Sequence, residues 1–282
     1  MPALLTDRES PAVQHPVLQP GPSATVTAGD LTRAEIRLIV APAQFLRLLI
    51  PVVCALLLLY LASQLLKYEG GFQSQKGFEQ LLNLDRENNI PTWYSSSTLL
   101  LTAMLLGFIG WAKWQLRDRY APHWLVLAAI FVYLSLDEAA SFHEPLSAWL
   151  EDTFHPSGYL ASAWVVPGAL VMCLVGLSYL QFLAHLPRVT RYQFILAGFV
   201  YVGGVLGMEM VGGNYGSLHG PDNLTYAMLV AVEEGLEMLG IVLFLYALSS
   251  YIATHLPGIR ILVAHAPLSK RDPTTELWIE SR

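Results

Sequence analysis

Residues 224–254 read LTYAMLVAVEEGLEMLGIVLFLYALSSYIAT. The run exceeds the ~20 apolar residues that a helix needs to cross a hydrocarbon core about 30 Å thick. It nevertheless carries Glu233, Glu234 and Glu237 within little more than one helical turn. Its apolar length points to a membrane helix. Its acids point to function, because a carboxylate at the centre of a span costs ~2.5 kcal/mol or more.

Five further apolar blocks lie upstream, at 44–66, 95–115, 122–147, 160–185 and 191–212. The chain of 282 residues is 54% hydrophobic and only 13% charged, about half the charged share of a soluble domain. The expectation is an all-α polytopic integral membrane protein, a bundle of six transmembrane helices over 44–254. Residues 1–43 read as a disordered tail ending in a short juxtamembrane helix. Thr32-Arg33-Ala34-Glu35 has capping-box spacing, and Pro42 would end that helix. Residues 1–29 lack the apolar core of a secretory signal. Residues 255–282 read as a polar C-terminal tail. Cys54 and Cys173 sit inside apolar blocks and read as buried free thiols.

Basic residues set an orientation. Arg33, Arg37, Arg47, Lys113, Arg117, Arg119, Arg188, Arg191, Arg260, Lys270 and Arg271 fall on one side, against Lys67, Lys76 and Arg86 on the other. The positive-inside rule then puts both termini in the cytoplasm. Loops 67–94, 148–159 and 213–223 face outward, in a membrane of the bacterial inner (plasma) type. Trp93, Tyr94, Trp124, Trp149, Tyr159 and Trp164 lie near span ends and suit an interfacial belt. No basic run suggests nucleic acid. The halves share no motif or spacing, which speaks against an inverted-repeat transporter. Gly203 and Gly207 read as a small-xxx-small helix-packing pair.

Charge where charge is expensive is the informative feature. Block 122–147 contains Asp137, Glu138, His143 and Glu144, and Glu209 closes block 191–212. Read as one continuous helix, Asp137 and Glu144 share a face, about 20° apart, with Glu138 and His143 flanking them. Glu233, Glu234 and Glu237 share an arc on the last block. At ~1.5 Å per residue, Glu233 lies roughly 14 Å from the outer end of its helix, and Asp137 roughly 22 Å from the inner end of its own. The acids thus trace a cavity from the outer surface to mid-membrane. The inner half offers only weaker polar candidates, such as Tyr133, Ser135 and Tyr201. No Lys or Arg lies mid-span, so the acids are either protonated or share an external cation.

A lone intramembrane acid is explained by one interhelical hydrogen bond; three within a turn and a half are not. The expected ligands of a divalent metal ion (Mn, Fe, Mg, Ca or Zn) are Asp137, Glu138, His143, Glu209, Glu233, Glu234 and Glu237. Glu234 and Asp137 are the candidate catalytic carboxylates. In the first outer loop, Asp85, Glu87 and Asn89 alternate as in a calcium loop. However, Ile90 stands where that loop needs Gly and Ser96 where it needs Glu. A polar turn entering the second span, with Pro91 near its start, reads better. The Ser95-Ser96-Ser97-Thr98 run could then cap that helix. His219 lies in a Gly-rich turn that could close the cavity mouth.

No characterised motif is matched. The carboxylates share the chemistry of di-iron bundles but replace their Glu-x-x-His pair with Glu234-x-x-Glu237. Gly-x-Ser-x-Gly and P-loop motifs are absent. The leading expectation is a metal-dependent membrane enzyme acting on a lipid-like substrate among membrane lipids. A proton- or cation-coupled transporter and a scaffold or assembly subunit of a membrane complex are the alternatives.

Overall fold

A computed structural model of the chain describes residues 33–37, 42–70, 78–256 and 260–264. Within 42–256 every described element is helical. The helices are α1 (Pro42–Tyr68), α2 (Phe78–Leu82), α3 (Ile90–Gln115), α4 (Ala121–Ala140), α5 (His143–Phe154), α6 (Val165–His185), α7 (Arg188–Val202), α8 (Glu209–His219) and α9 (Leu224–His255). A π-helical stretch, Gly203–Met208, joins α7 to α8 without a break. Among the described residues, five helices are long and apolar enough to cross a membrane: α1, α3, α4, α6 and the continuous run Arg188–His219.

α9 differs from these five. It packs against α1, α3, α7, α8 and the π stretch, and most of its second half is buried. α1 and α7 run antiparallel to it, and α3 runs parallel. Leu57 of α1 faces Gly235, and Tyr201 of α7 faces Gly240. α3 and α4 form a hairpin in which Ser96 and Ser135 each donate a hydroxyl to the other's carbonyl, both at 2.8 Å. One end of the bundle therefore holds Pro42, Gln115, Ala121, His185, Arg188 and His255, and is called the terminal end below. The loop end holds Tyr68, Ile90, Ala140, Val165, His219 and Leu224.

The terminal half is a closely packed aromatic core. Trp124 is 1% exposed and meets Phe182 and Phe194 edge-on, with Tyr251 tilted beside it. Cys54 and Cys173 are free thiols as expected, but both face outward from the bundle. In a helix dressed with apolar side chains all round, Cys is as acceptable on an outer face as inside.

Arg33–Arg37 forms a strand, β1, paired antiparallel with β2 (Arg260–Ala264). The helix expected from Thr32 is not formed there. The alternation Arg-Ala-Glu-Ile-Arg has the period of a strand, and the register sets Ile36 opposite Ile261. Of the expected tails, residues 1–32, 38–41, 257–259 and 265–282 lie outside the described residues.

Candidate functional site

The block 122–147 is not one helix. α4 stops at Ala140 because Ser141 adopts the left-handed conformation, φ 54°. Pro145 explains the stop: it has no N–H to give to the Ser141 carbonyl and its ring would strike that turn. The chain reverses and restarts as α5 at His143. The corner is tied by Asp137, whose Oδ1 accepts the His143 backbone N–H at 2.9 Å and whose Oδ2 lies 3.1 Å from His143 Nδ1. Asp137 and Glu144 therefore do not share a helical face. Asp137 instead stands behind His143, fixing its ring through Nδ1 and leaving Nε2 to face the cavity. The Trp164 ring flanks the imidazole at 5.7 Å. The hydrogen bond that the imidazole donates to Asp137 raises the His143 pKa, and burial only partly offsets it.

The loop before α3 is organised by Asn89. Its side-chain oxygen caps α3 by accepting the Thr92 N–H at 3.0 Å, and its amide donates to the carbonyls of Asn83 and Arg86. Asn89 is thus committed to the fold and is no cation ligand. It also moves the helix start from the expected 95 to Ile90, so the Ser95–Thr98 run is not a cap. Ser96 bonds to α4, and Thr98 to the Ser95 carbonyl. The same tight loop aims Asp85, Arg86 and Glu87 into the bundle.

α7 approaches α9 through glycines. A Cβ on Gly240 would lie 2.7 Å from the Tyr201 backbone nitrogen. One on Gly204 would lie 2.9 Å from the Glu233 carbonyl oxygen and 2.8 Å from Glu237 Cγ. No residue larger than Gly fits at either contact without displacing backbone. Gly203 and Gly207, the expected packing pair, have nothing within 4 Å of a Cβ. The π stretch inserts an extra residue into the turn, rotating the helix face by roughly one residue's ~100°. It brings Gly204 onto α9 and turns Glu209 inward.

These devices enclose one cavity of about 250 Å³ at the loop end. α9 contributes Tyr226, Glu233, Glu234 and Glu237; α4 contributes Glu138; the start of α5 contributes His143 and Glu144. The π stretch and α8 add Val205 and Glu209, and the 82–90 loop adds Asp85, Arg86 and Glu87. Glu138, His143, Glu209, Glu233, Glu234 and Glu237 are therefore brought together, with Asp137 one shell behind. Sequence reasoning passed over Asp85, Glu87 and Arg86, whose only signal was the discounted calcium-like alternation. It placed Tyr201 in the inner half, beyond the acids, and did not single out Tyr226, and both line the cavity. Arg86 brings a protein cation to the acids from the loop, where a search confined to spans could not find one. His219 is exposed and lies against Tyr215, away from the cavity lining.

Solvent reaches Asp85, yet the surrounding protein desolvates its carboxyl and raises its pKa, with Glu209 adding to this and Tyr226 and Arg86 opposing. Desolvation raises Glu87 as well, with Glu144 adding to it. One carboxylate oxygen of Glu87 is buried without a hydrogen-bond partner.

The compact metal-ligand set expected from sequence is not formed: among the described residues no three His, Cys, Asp or Glu side chains converge as ligands on one point. The acids instead ring a space larger than one ion. At its deep end the cavity meets Tyr201. On the other side of Tyr201 lies a second hollow of about 230 Å³, lined by apolar side chains of α4, α6, α7 and α9.

No curated protein and no solved structure matches the chain. A family model matches residues 49–251, most of the chain and all of the residues that line the cavity, and the chain therefore belongs to the family described as Domain of unknown function (DUF8692).

Proposed function

We propose that this is a six-span membrane protein whose acidic cavity opens to the outer face, holds a hard divalent cation, and acts there on a lipid-like, amphipathic substrate. α9 is the sixth span in this reading. Its 32 residues reach ~48 Å at 1.5 Å per residue. Its neighbours shield it from lipid, which is why it can carry acids. The basic residues at the terminal end support a cytoplasmic location for both termini.

The observation that carries the reading is the cavity itself: Asp85, Glu87, Glu138, Glu144, Glu209, Glu233, Glu234 and Glu237 face Arg86 and His143 across about 250 Å³. Negative charge in such excess calls for cations, either protons or a metal. Magnesium-like ions keep several waters and use one or two carboxylates together with substrate oxygens. A dispersed ring of acids with room for waters, each of ~30 Å³ in the liquid, suits that mode better than a closed ligand cage. Glu138, Glu233, Glu234 and Glu237 are the residues to hold it, and the ion would polarise a substrate oxygen. His143, oriented by Asp137, moves protons at Nε2. Asp137 is a positioning residue in this scheme, and Glu234 is the second candidate base. Arg86 suits an anionic group of the substrate. A transporter would need the polar path to continue past Tyr201, and the apolar lining beyond it argues against that.

Mn²⁺ titration of the purified, reconstituted protein, followed by electron paramagnetic resonance, tests the reading. Glu234→Gln with Glu237→Gln should weaken binding tenfold or more, whereas Glu151→Gln on the exposed face of α5 should not. Binding that is absent, or indifferent to the α9 pair, would reject it.

A further inference from the structure

We infer that the apolar hollow between α4, α6 and α7 is the seat of the substrate's hydrocarbon chain, taken from the outer leaflet of the bilayer, with Tyr201 marking the junction of head and chain. The inference rests on the amphipathic-substrate reading above and specifies how such a molecule lies.

The two hollows meet at Tyr201, which lines both. Polarity inverts across that one ring, from carboxylates to a lining of Leu, Ile, Val, Phe, Met, Ala and Gly with only the Tyr201 and Tyr179 hydroxyls. The Tyr179 hydroxyl is already spent, donating to the His123 carbonyl at 2.8 Å. The same contact, with Phe182 packed on Tyr179 at 5.5 Å, bounds the groove toward the terminal end. The groove therefore adjoins the acidic cavity at Tyr201 and is lined by hydrocarbon beyond it, which is the arrangement an amphipath fills. Its walls are built from consistent helical faces: Leu127, Phe131 and Leu134 on α4 oppose Ala197, Gly198 and Val202 on α7. A cavity of about 150 Å³ already accepts benzene, so about 230 Å³ accommodates a longer alkyl segment. A lipid of the outer leaflet has its head at the outer face and its chain toward the midplane, the direction in which cavity and groove are stacked.

Gly198 supplies the test. It lines the groove, and a Cβ there meets nothing within 4 Å, so a side chain can leave the backbone there without a clash and Gly198→Phe places a ring at the groove. Gly176 on α6 also has nothing within 4 Å of a Cβ but is outside the groove, which makes Gly176→Phe the matched control. The protein is reconstituted in nanodiscs of phosphatidylethanolamine and phosphatidylglycerol doped with a phospholipid bearing a diazirine at the end of its acyl chain. After irradiation, adducts are mapped by mass spectrometry. Adducts should concentrate on Phe131, Met172 and Ala197, fall at least fivefold in Gly198→Phe, and persist in Gly176→Phe. Label spread evenly over lipid-facing Leu170, Leu174 and Leu177, and unchanged by Gly198→Phe, would overturn the inference. Mn²⁺ binding measured on the same samples separates the two ideas. Groove labelling without Mn²⁺ binding leaves the chain seat standing and removes the cation. Mn²⁺ binding with even labelling does the reverse.

Discussion

The two hollows on either side of Tyr201 are similar in size and opposite in chemistry, and α9 walls both. From Tyr226 to Glu237 it faces the acids; from Gly240 to Phe244 it faces only hydrocarbon. The change falls where α7 comes closest, at Gly240 against Tyr201. At the terminal half, stability comes from close aromatic packing. At the loop half, α1, α3 and α9 still enclose an apolar core around Tyr60, Leu84, Tyr94 and Ala227, but beside it the contacts are glycine-mediated or made by a few side-chain ties and a capped loop, which leaves charge room to exist. A single helix can thus belong to a packed core along one half and to a site along the other.

Substitutions should expose that division. Trp124→Ala removes the largest fully buried side chain and should destabilise the protein by about 3–5 kcal/mol, read as a lowered thermal midpoint in detergent. If the division is real, cation binding at temperatures below that midpoint should survive. Gly204→Ala forces the π stretch off α9. It should cost about 1–3 kcal/mol by overpacking and should weaken Mn²⁺ binding along with stability, because Glu209 moves away from Glu233. Unchanged binding would show that the close contact does not shape the cavity. Ser135→Ala removes one of the paired hydroxyls joining α3 to α4 and should cost ~1 kcal/mol, without altering binding.

The two ends should also respond oppositely to acid. Asp118, in the turn between α3 and α4, is pushed up by burial. The Tyr120 N–H at 2.9 Å and Lys113 at 3.2 Å outweigh this and lower its pKa. A lowered folded pKa gives stability that is present above the usual aspartate value of 3.8 and lost as pH falls through the lowered one. Asp85 and Glu87 have raised pKa values, so the folded loop binds more protons than the unfolded one. Their charge opposes folding above those raised values, and acidification through them relieves it. Protection factors, corrected for the intrinsic pH dependence of exchange, should therefore rise in residues 83–89 as pH falls through those raised values, while residues 116–120 loosen only in stronger acid. Parallel behaviour of the two segments would contradict the assignment.

Much of this was legible in the sequence. Block boundaries such as 224–254 follow from apolar length alone, and Glu233, Glu234 and Glu237 stand out because nothing in an apolar run hides a carboxylate. The break at Ser141 was legible too, in Pro145, but reading 122–147 as one apolar block carried His143 and Glu144 onto the wrong face. Arg86, Asp85 and Glu87 were out of reach for a different reason. They enter the site through the loop folded onto Asn89, and no helical period reports where a loop points. The role of Gly204 over Gly203 and Gly207 depends on a π turn, a one-residue shift that composition does not encode.

The most direct test of the central division is the side from which each hollow can be reached. In a background lacking Cys54 and Cys173, Val230→Cys reports on the cavity and Ile241→Cys on the groove. A charged, membrane-impermeant thiol reagent applied to oriented vesicles should modify Val230→Cys from the outer face only, and Ile241→Cys from neither face. Modification of Val230→Cys by reagent confined to the cytoplasmic side would mean that a polar path runs past Tyr201, contradicting the account and favouring a transporter.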